Sequence, residues 1–177
     1  LCTLGYWLAG MTLFDAVCHS FSTVAIGGFS THDASIGYFD SPVIEAIAIF
    51  FMVVSAVNFA LHFTSWRQKS LRHYWQDPEF KFYILILSSI AGLPTAVLVL
   101  HDTYEGVESF RRAAFEVVSI ATTTGFATAD FSQWPAMLPF LLFVAAFAGG
   151  CAGSTGGGMK VIRILIILKQ GSRGVKR

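Results

Sequence analysis

Two short turns, AIGGFST at 25–31 and TTTGFAT at 122–128, contain the residues with the clearest potential chemistry. A cation that leaves water needs its hydration shell replaced, and several backbone carbonyls aimed at one axis can replace it. Successive carbonyls point the same way only if some residues take positive φ, which glycine adopts without steric penalty. Gly28 and Gly125 therefore predict two stretches of backbone able to coordinate a monovalent cation.

The two turns belong to an internal repeat with a constant offset of 97 residues. Aligning 12–33 with 109–130 gives six identical pairs: Ala16 with Ala113, Ser22 with Ser119, Gly28 with Gly125, Phe29 with Phe126, Thr31 with Thr128, and Asp33 with Asp130. Identities in the short helix alone could arise by chance, but the ordered pattern of apolar segments around both turns argues against it. Repeats of this kind build many membrane transport proteins.

Two apolar runs, 43–63 and 80–100, have about the 20 residues that a helix needs to cross a bilayer. The composition agrees, since 54% of the residues are hydrophobic and 13% are charged, whereas about a quarter are charged in soluble domains. The alternative is a pair of buried core helices in a soluble protein. Because both runs are apolar on every face, the sequence favours membrane spans.

Shorter helices are predicted over 12–25 and 106–121, each aiming the partial negative charge of its C-terminus at a glycine turn. Thr12 begins the first helix, and we expect Asp15 to reach back to its first free amide. A third apolar stretch, 134–168, is too long for one span and contains GGCAGSTGGG at 149–158. Each glycine weakens a helix by roughly 1 kcal/mol relative to alanine, so we predict a break within this span and a new helix from Met159.

The distribution of basic residues predicts the orientation. Arg67, Lys69 and Arg72 lie in the linker 67–79, and the C-terminal tail is also basic, whereas 30–41 and 127–133 hold no Lys or Arg. By the positive-inside tendency, the linker and the tail are cytoplasmic and the turns face outward. The chain then divides into a first pore repeat at 1–66 with a truncated leading span, the linker 67–79, and a second pore repeat at 80–177.

The two turns, together with GGCAGSTGGGMK at 149–160, resemble the membrane subunits of the bacterial Trk/Ktr potassium-uptake systems, close to the TrkH type. The resemblance covers essentially the whole chain. It implies an all-α membrane protein of tandem helix–re-entrant pore loop–helix repeats, located in the bacterial inner membrane, that takes up K⁺ and is not an enzyme. Members of this family carry four such repeats in one chain, arranged around one pore. The resemblance implies that this sequence contains the middle two repeats and that the other two lie elsewhere in a larger chain. It also implies symport, a homodimer and a cytosolic nucleotide-binding regulatory subunit.

The resemblance also implies roles for individual residues. The selectivity filter would comprise 26–29 and 122–126, with Ile26, Gly27, Gly28 and Phe29 in the first copy and Thr123, Thr124, Gly125 and Phe126 in the second. Potassium would be coordinated at Ile26, Gly27, Thr123 and Thr124. A gate loop at 149–158 would obstruct the pore below the filter; its residues are Gly149, Gly150, Gly153, Ser154, Thr155, Gly156, Gly157 and Gly158.

Other functions find less support in the residues. GSTGGGMK is not a phosphate-binding loop, because Met159 separates Gly158 from Lys160 and the segment lies in a span rather than after a strand. Lys160 could extend to the inner interface or interact with the pore.

The five histidines lack ligand-like spacing, and a net charge of +1 does not indicate a nucleic-acid partner. The remaining alternative is a membrane anchor or membrane enzyme module without ion conduction, but an enzyme would be expected to keep His, Asp or Glu inside its spans.

Overall fold

The computed structural model describes residues 1–101, 104, 106–135, 137–147 and 149–175, so the predicted cytoplasmic residues Lys176 and Arg177 lie outside it. The described chain consists of helices joined by turns and loops. The helices are α1 (Cys2–Leu8), α2 (Leu13–Val24), α3 (Pro42–Ser55), α4 (Phe59–Arg67), α5 (Arg72–Gln76), α6 (Pro78–Leu100), α7 (Gly106–Ala121), α8 (Met137–Ala146) and α9 (Val161–Val175), with 3₁₀ turns at Ser35–Phe39 and Phe131–Gln133.

Helices α2 and α7 occupy the two regions where short helices are predicted. The hydroxyl of Thr12 caps α2 by accepting a hydrogen bond from the Asp15 amide at 3.1 Å. The expected return contact from Asp15 to a free amide is wrong. Its carboxylate instead accepts from the hydroxyls of Thr12 at 2.7 Å and Thr31 at 2.6 Å, which connects the start of α2 to the residues after the first turn.

Helix α6 has 23 residues and is the one continuous described helix long and apolar enough to cross a membrane. Pro78 occupies its first turn, where a missing N–H is harmless, and the Asp77 side chain caps it by accepting from the Phe80 amide at 2.7 Å. The helix packs against α7, α8 and α9. It therefore provides the support for the whole second copy of the repeat.

The helix predicted over 43–63 is divided into two in the structure. Helices α3 and α4 meet at 92°, with a break at 56–58. The side chain of Asn58 caps α4 through the Ala60 amide at 2.8 Å. The Cys151 amide donates to the Ala56 oxygen at 2.8 Å, so a distant segment binds a carbonyl that the break leaves free. The bend depends on these tertiary contacts, which an apolar run cannot reveal.

A buried apolar cluster joins the first copy to the second. Its largest side chains, which are fully buried or nearly so, are Tyr6 from α1, Met52 from α3, Phe115 from α7 and Phe126 from the second turn. Helix α7 thus packs against α3 as well as α6. This packing places the two short helices and their turns in one region of the molecule.

Candidate functional site

The two turns have the same backbone geometry at the repeat offset. Positive φ occurs at Ile26 (55°) and Gly28 (69°) in the first turn, and at Thr123 (67°) and Gly125 (89°) in the second. Positive φ at every second residue turns successive peptide groups relative to a regular helix or strand. Both turns therefore leave their helices along the same unusual path.

The hydrogen bonds that begin each turn also repeat. In the first copy the amide of Ile26 donates to Thr23 at 3.2 Å and that of Gly27 to Ser22 at 2.8 Å. In the second copy the bonds run from Thr123 to Ile120 at 3.0 Å and from Thr124 to Ser119 at 2.8 Å. All four donors and acceptors obey the offset of 97. The C-terminal carbonyls of α2 and α7 thus bind the first residues of their own turns.

The sequence did not predict positive φ at Ile26 and Thr123. We expected this conformation at glycine, but both residues are β-branched, and a β-branched residue at positive φ is a genuine conformational outlier. Gly27, by contrast, does not adopt it. Strain of this kind persists only where the surrounding structure fixes the backbone. The contacts around each turn must therefore help to hold Ile26 and Thr123 at positive φ.

The structure brings the two turns into direct contact. A methyl group at Gly28 would overlap the backbone oxygen of Thr124, so only glycine fits there. Just beyond the turns, the Gly37 amide donates to the Ala127 oxygen at 3.1 Å, and the Ala127 amide donates to the Ser35 hydroxyl at 3.3 Å. The two copies are therefore joined by backbone contacts at the turns and beyond them.

The two phenylalanines assigned to the filter differ. Phe29 is 82% exposed, whereas Phe126 is 1% exposed and lies in the cluster between the copies. The Ser119 hydroxyl donates to the Phe126 oxygen at 2.6 Å, whereas the hydroxyl of Ser22, the matching serine, is buried without a partner among the described residues. The second turn is thus more firmly held by this chain than the first.

The glycine-rich loop (149–158) separates α8 from α9, and α9 begins at Val161 rather than Met159. Gly149 and Gly158 have φ of 66° and 72°, and a methyl group at Gly158 would lie 2.8 Å from the Gly149 Cα. The Val161 amide donates to the Gly150 oxygen at 3.1 Å. The loop is therefore closed at its base by backbone contact, which requires glycine at both ends.

The glycine-rich loop also contacts the second turn and the ends of α2 and α3. The Gly157 amide donates to the Thr123 hydroxyl at 2.7 Å. The Thr155 hydroxyl lies 3.0 Å from the Val24 oxygen, at the end of α2, and 3.1 Å from the Ser55 oxygen, at the end of α3. The loop thus lies beside the C-terminal end of α2 and the start of the second turn, and the Thr155 hydroxyl contacts backbone carbonyls at the ends of α2 and α3.

Two further side chains hold the glycine-rich loop. Lys160 donates to the Gly156 oxygen within the loop region. Glu79, at the start of α6 and 7% exposed, accepts at one carboxylate oxygen from the Ala152 amide at 2.7 Å and the Ile162 amide at 3.2 Å. Sequence reasoning missed Glu79; an acidic residue at the entrance of an apolar span was the available signal.

Asp130 lies two residues beyond the second turn. It caps the turn at Phe131–Gln133, accepting from the Ser132 amide at 3.1 Å and from the Gln133 side chain at 2.9 Å. Hydrogen bonds from Ser132, and then from Gln133, lower the pKa of Asp130 below its usual range. The carboxylate therefore stays ionised beside the second turn.

Comparison with known proteins supports an all-helical membrane transporter fold. The family model TrkH, described as cation transport protein, matches residues 1–177. The chain is 62% identical over 176 residues to the Trk system potassium uptake protein TrkH of Halomonas elongata, covering 99% of this chain and 36% of that protein. It is 53% identical over 177 residues to TrkH of Escherichia coli, covering 99% of this chain and 37% of the relative.

A solved structure gives the same result. The crystal structure of the potassium transporter TrkH from Vibrio parahaemolyticus has a TM-score of 0.96 at 52% identity, over 99% of this chain and 38% of that one. The chain therefore belongs to the TrkH family, and it spans a little over a third of the length of these relatives.

Proposed function

We propose that the two turns form part of a potassium pathway, with the backbone oxygens of Ile26, Gly27, Thr123 and Thr124 replacing the ion's hydration shell. The observation that carries this proposal is the contact between two turns of identical backbone geometry, in which Gly28 lies against the Thr124 oxygen. The relatives at 53–62% identity are named for potassium uptake. Transport, rather than catalysis, is the function that these features favour.

We place Gly28, Phe29, Gly125 and Phe126 in the same filter. Both glycines have positive φ, which is consistent with a backbone that presents oxygens instead of side chains to the ion. Phe126 is buried between the copies and anchors the second turn, whereas Phe29 is exposed and free to contact another repeat. We infer that two further repeats of a longer chain complete the filter.

We infer that the glycine-rich loop is the gate. It contacts the end of α2 through Thr155 and the second turn through Gly157, and these contacts support a position below the filter. Irregular backbone at membrane depth is tolerated where it is buried in protein or lines a water-filled path. The amides of Ala152 in the loop and of Ile162 in α9 both donate to Glu79. These bonds are consistent with a loop that is held in one position, and their release would allow the loop to adopt a second position.

The cellular context follows from the same family. We propose that the longer protein works as a homodimer in the bacterial inner membrane, with a cytosolic nucleotide-binding regulatory subunit, and that uptake occurs by symport. The turns would face outward, and the linker 67–79 and the C-terminal tail would be cytoplasmic. The exposed side chains of Arg67, Lys69 and Arg72 are consistent with that orientation.

Potassium uptake by the full-length protein, in cells that lack other uptake routes, tests the proposal. Growth at low external potassium should be restored by the wild type. Gly28→Ser should abolish this rescue, because its side chain would overlap the Thr124 oxygen. Restored growth with Gly28→Ser at a normal protein level would contradict the filter assignment, and failure of the wild type would contradict potassium uptake itself.

A further inference from the structure

Each short helix carries two polar side chains four residues apart on the side facing its own turn. They are Asp15 and His19 in α2, the first anchor pair, and Arg112 and Glu116 in α7, the second anchor pair. The offset of 97 relates both positions, although an acid precedes a base in one pair and a base precedes an acid in the other. His19 and Glu116 are completely buried. Buried ionisable groups in a membrane protein are costly and mark functional positions.

The second anchor pair fixes the backbone just after the second turn. One carboxylate oxygen of Glu116 accepts from the amides of Thr128 at 2.7 Å and Ala129 at 3.1 Å, and from the Thr128 hydroxyl at 3.2 Å. Arg112 donates to the Thr128 oxygen at 2.6 Å. Both backbone polar groups of Thr128 are thus bound by side chains of α7.

The first anchor pair holds the corresponding segment through different chemistry. Nδ1 of His19 lies 2.8 Å from the Asp15 backbone oxygen, which can only accept, so Nδ1 carries the proton. Nε2 of the same ring forms a hydrogen bond with the Ser30 hydroxyl at 2.9 Å. Asp15 accepts from the Thr31 hydroxyl at 2.6 Å. The residue matched by the offset, Thr31 or Thr128, is therefore bound by its short helix in both copies.

These bonds explain how the strained turns keep their shape. Each turn is fixed at its start by the carbonyls of its helix and at its end by an anchor pair, with Ile26 or Thr123 at positive φ between them. The His19 ring also lies with its centroid 6.1 Å from that of Phe126, so the first pair contacts the second turn. A strained backbone fixed at both ends cannot relax toward a smaller ion.

We propose that Glu116 and His19 are positioning residues for ion selectivity, which hold the backbone of the two turns at the spacing that potassium requires. The inference rests on the proposed function, because it assigns a role within the same filter. Neither side chain needs to contact the ion. Loss of either anchor would let the turn relax, so discrimination against sodium would fall while the protein still inserts and still conducts.

The test measures potassium and sodium uptake by the full-length protein in liposomes. Glu116→Met keeps the size of the side chain and removes the acceptor, and we expect the preference for potassium over sodium to fall about tenfold, the effect of leaving buried donors without their acceptor. Glu116→Gln keeps an acceptor oxygen and should retain most of the preference. Val107→Met places the same side chain on the same helix at an exposed residue and should leave the preference unchanged.

Ser30→Ala gives a second, milder variant. It removes the partner of His19 Nε2 without altering a helix, and a threefold to tenfold fall in preference would support the first anchor pair. A selective wild type whose Glu116→Met and Ser30→Ala forms remain equally selective, at normal protein amounts, would overturn the inference and leave the proposed function intact. A wild type with no preference for potassium would refute the proposed function, and this inference with it.

Discussion

At the scale of single residues, the two filter glycines face different constraints. A methyl group at Gly28 would overlap the Thr124 oxygen, whereas one at Gly125 would have no neighbour within 4 Å among the described residues. Both residues have positive φ, which costs an L-residue about 1–2 kcal/mol. Glycine is therefore required at position 28 both by its positive φ and by the lack of space for a side chain. At position 125 only the positive φ requires it.

This difference predicts unequal effects of alanine at the two positions. Gly28→Ala should lower both the potassium preference and the thermal stability of the full-length protein strongly. Gly125→Ala should cost about 1 kcal/mol and lower the preference less, because only strain is added. Melting temperature and the potassium-to-sodium uptake ratio check this order. Equal effects, or a larger effect at Gly125, would contradict the contact described between the turns.

Glu79 allows a second prediction at this scale. Glu79→Ala leaves the amides of Ala152 and Ile162 without their acceptor, at a cost of about 2 kcal/mol. We expect lower thermal stability and faster modification of a cysteine placed at Ala152. Glu79→Gln retains one acceptor oxygen and serves as the matched control. If the alanine and glutamine variants behave alike, the carboxylate does not hold the loop.

At the scale of elements, the repeat could be predicted from the sequence and the bend between α3 and α4 could not. Glycine at positive φ leaves a direct trace in the sequence, since few other residues replace it there, so Gly28 and Gly125 identified both turns. The break at 56–58 leaves no such trace, because it is stabilised by the Cys151 amide and by the bond from the Phe59 amide to the Gly153 oxygen. Local patterns do not record contacts between residues a hundred positions apart.

The anchor pairs show a similar limit. Their positions follow the repeat, but their residue types do not, since His19 matches Glu116 and Asp15 matches Arg112. An alignment that looks for identical residues therefore does not detect the anchor pairs. The same holds for Ile26 and Thr123, where a β-branched residue in a strained conformation conceals the alternation of φ. Function at these positions resides in hydrogen-bond geometry, which only the structure displays.

The glycine-rich loop gives a prediction at the scale of an element. Deleting residues 153–156 removes the hydroxyl contacts to Val24 and Ser55 but leaves the base formed by Gly149 and Gly158. If the loop obstructs the pathway, potassium flux without any regulator should rise severalfold, with the preference for potassium unchanged. Flux measured in liposomes checks this. Unchanged or lower flux from a normally inserted protein would indicate that the loop only lets the chain bend.

At the scale of the whole molecule, the proposed potassium pathway requires that the turns and the basic linker lie on opposite sides of the membrane. The exposed apolar side chains on α3, α6 and α8, such as Phe50, Leu85 and Phe140, form a surface suited to lipid or to further repeats. Of the basic residues of the linker, Arg67 ends α4, Lys69 lies between the helices and Arg72 begins α5. The proposed orientation places the membrane at the level of this apolar surface, with the turns on one side and the linker on the other.

Labelling of introduced cysteines tests this topology. Gln68 and Asp33 are both exposed, so a cysteine at either should react without disturbing packing. In a variant lacking Cys18, Gln68→Cys should label only from the cytoplasmic side and Asp33→Cys only from outside. The reverse pattern would overturn the orientation, and labelling of both from one side would contradict a membrane between them.

The central claim is that the two turns line one potassium pathway, and locating the ion in a crystal tests this claim most directly. Crystals of the full-length protein containing Rb⁺, a heavier analogue of K⁺, should show anomalous density on the axis between the turns, at coordination distance from the oxygens of Ile26, Gly27, Thr123 and Thr124. The density should weaken when K⁺ is added in excess. Ion density elsewhere in the protein, with none between the turns, would contradict the account.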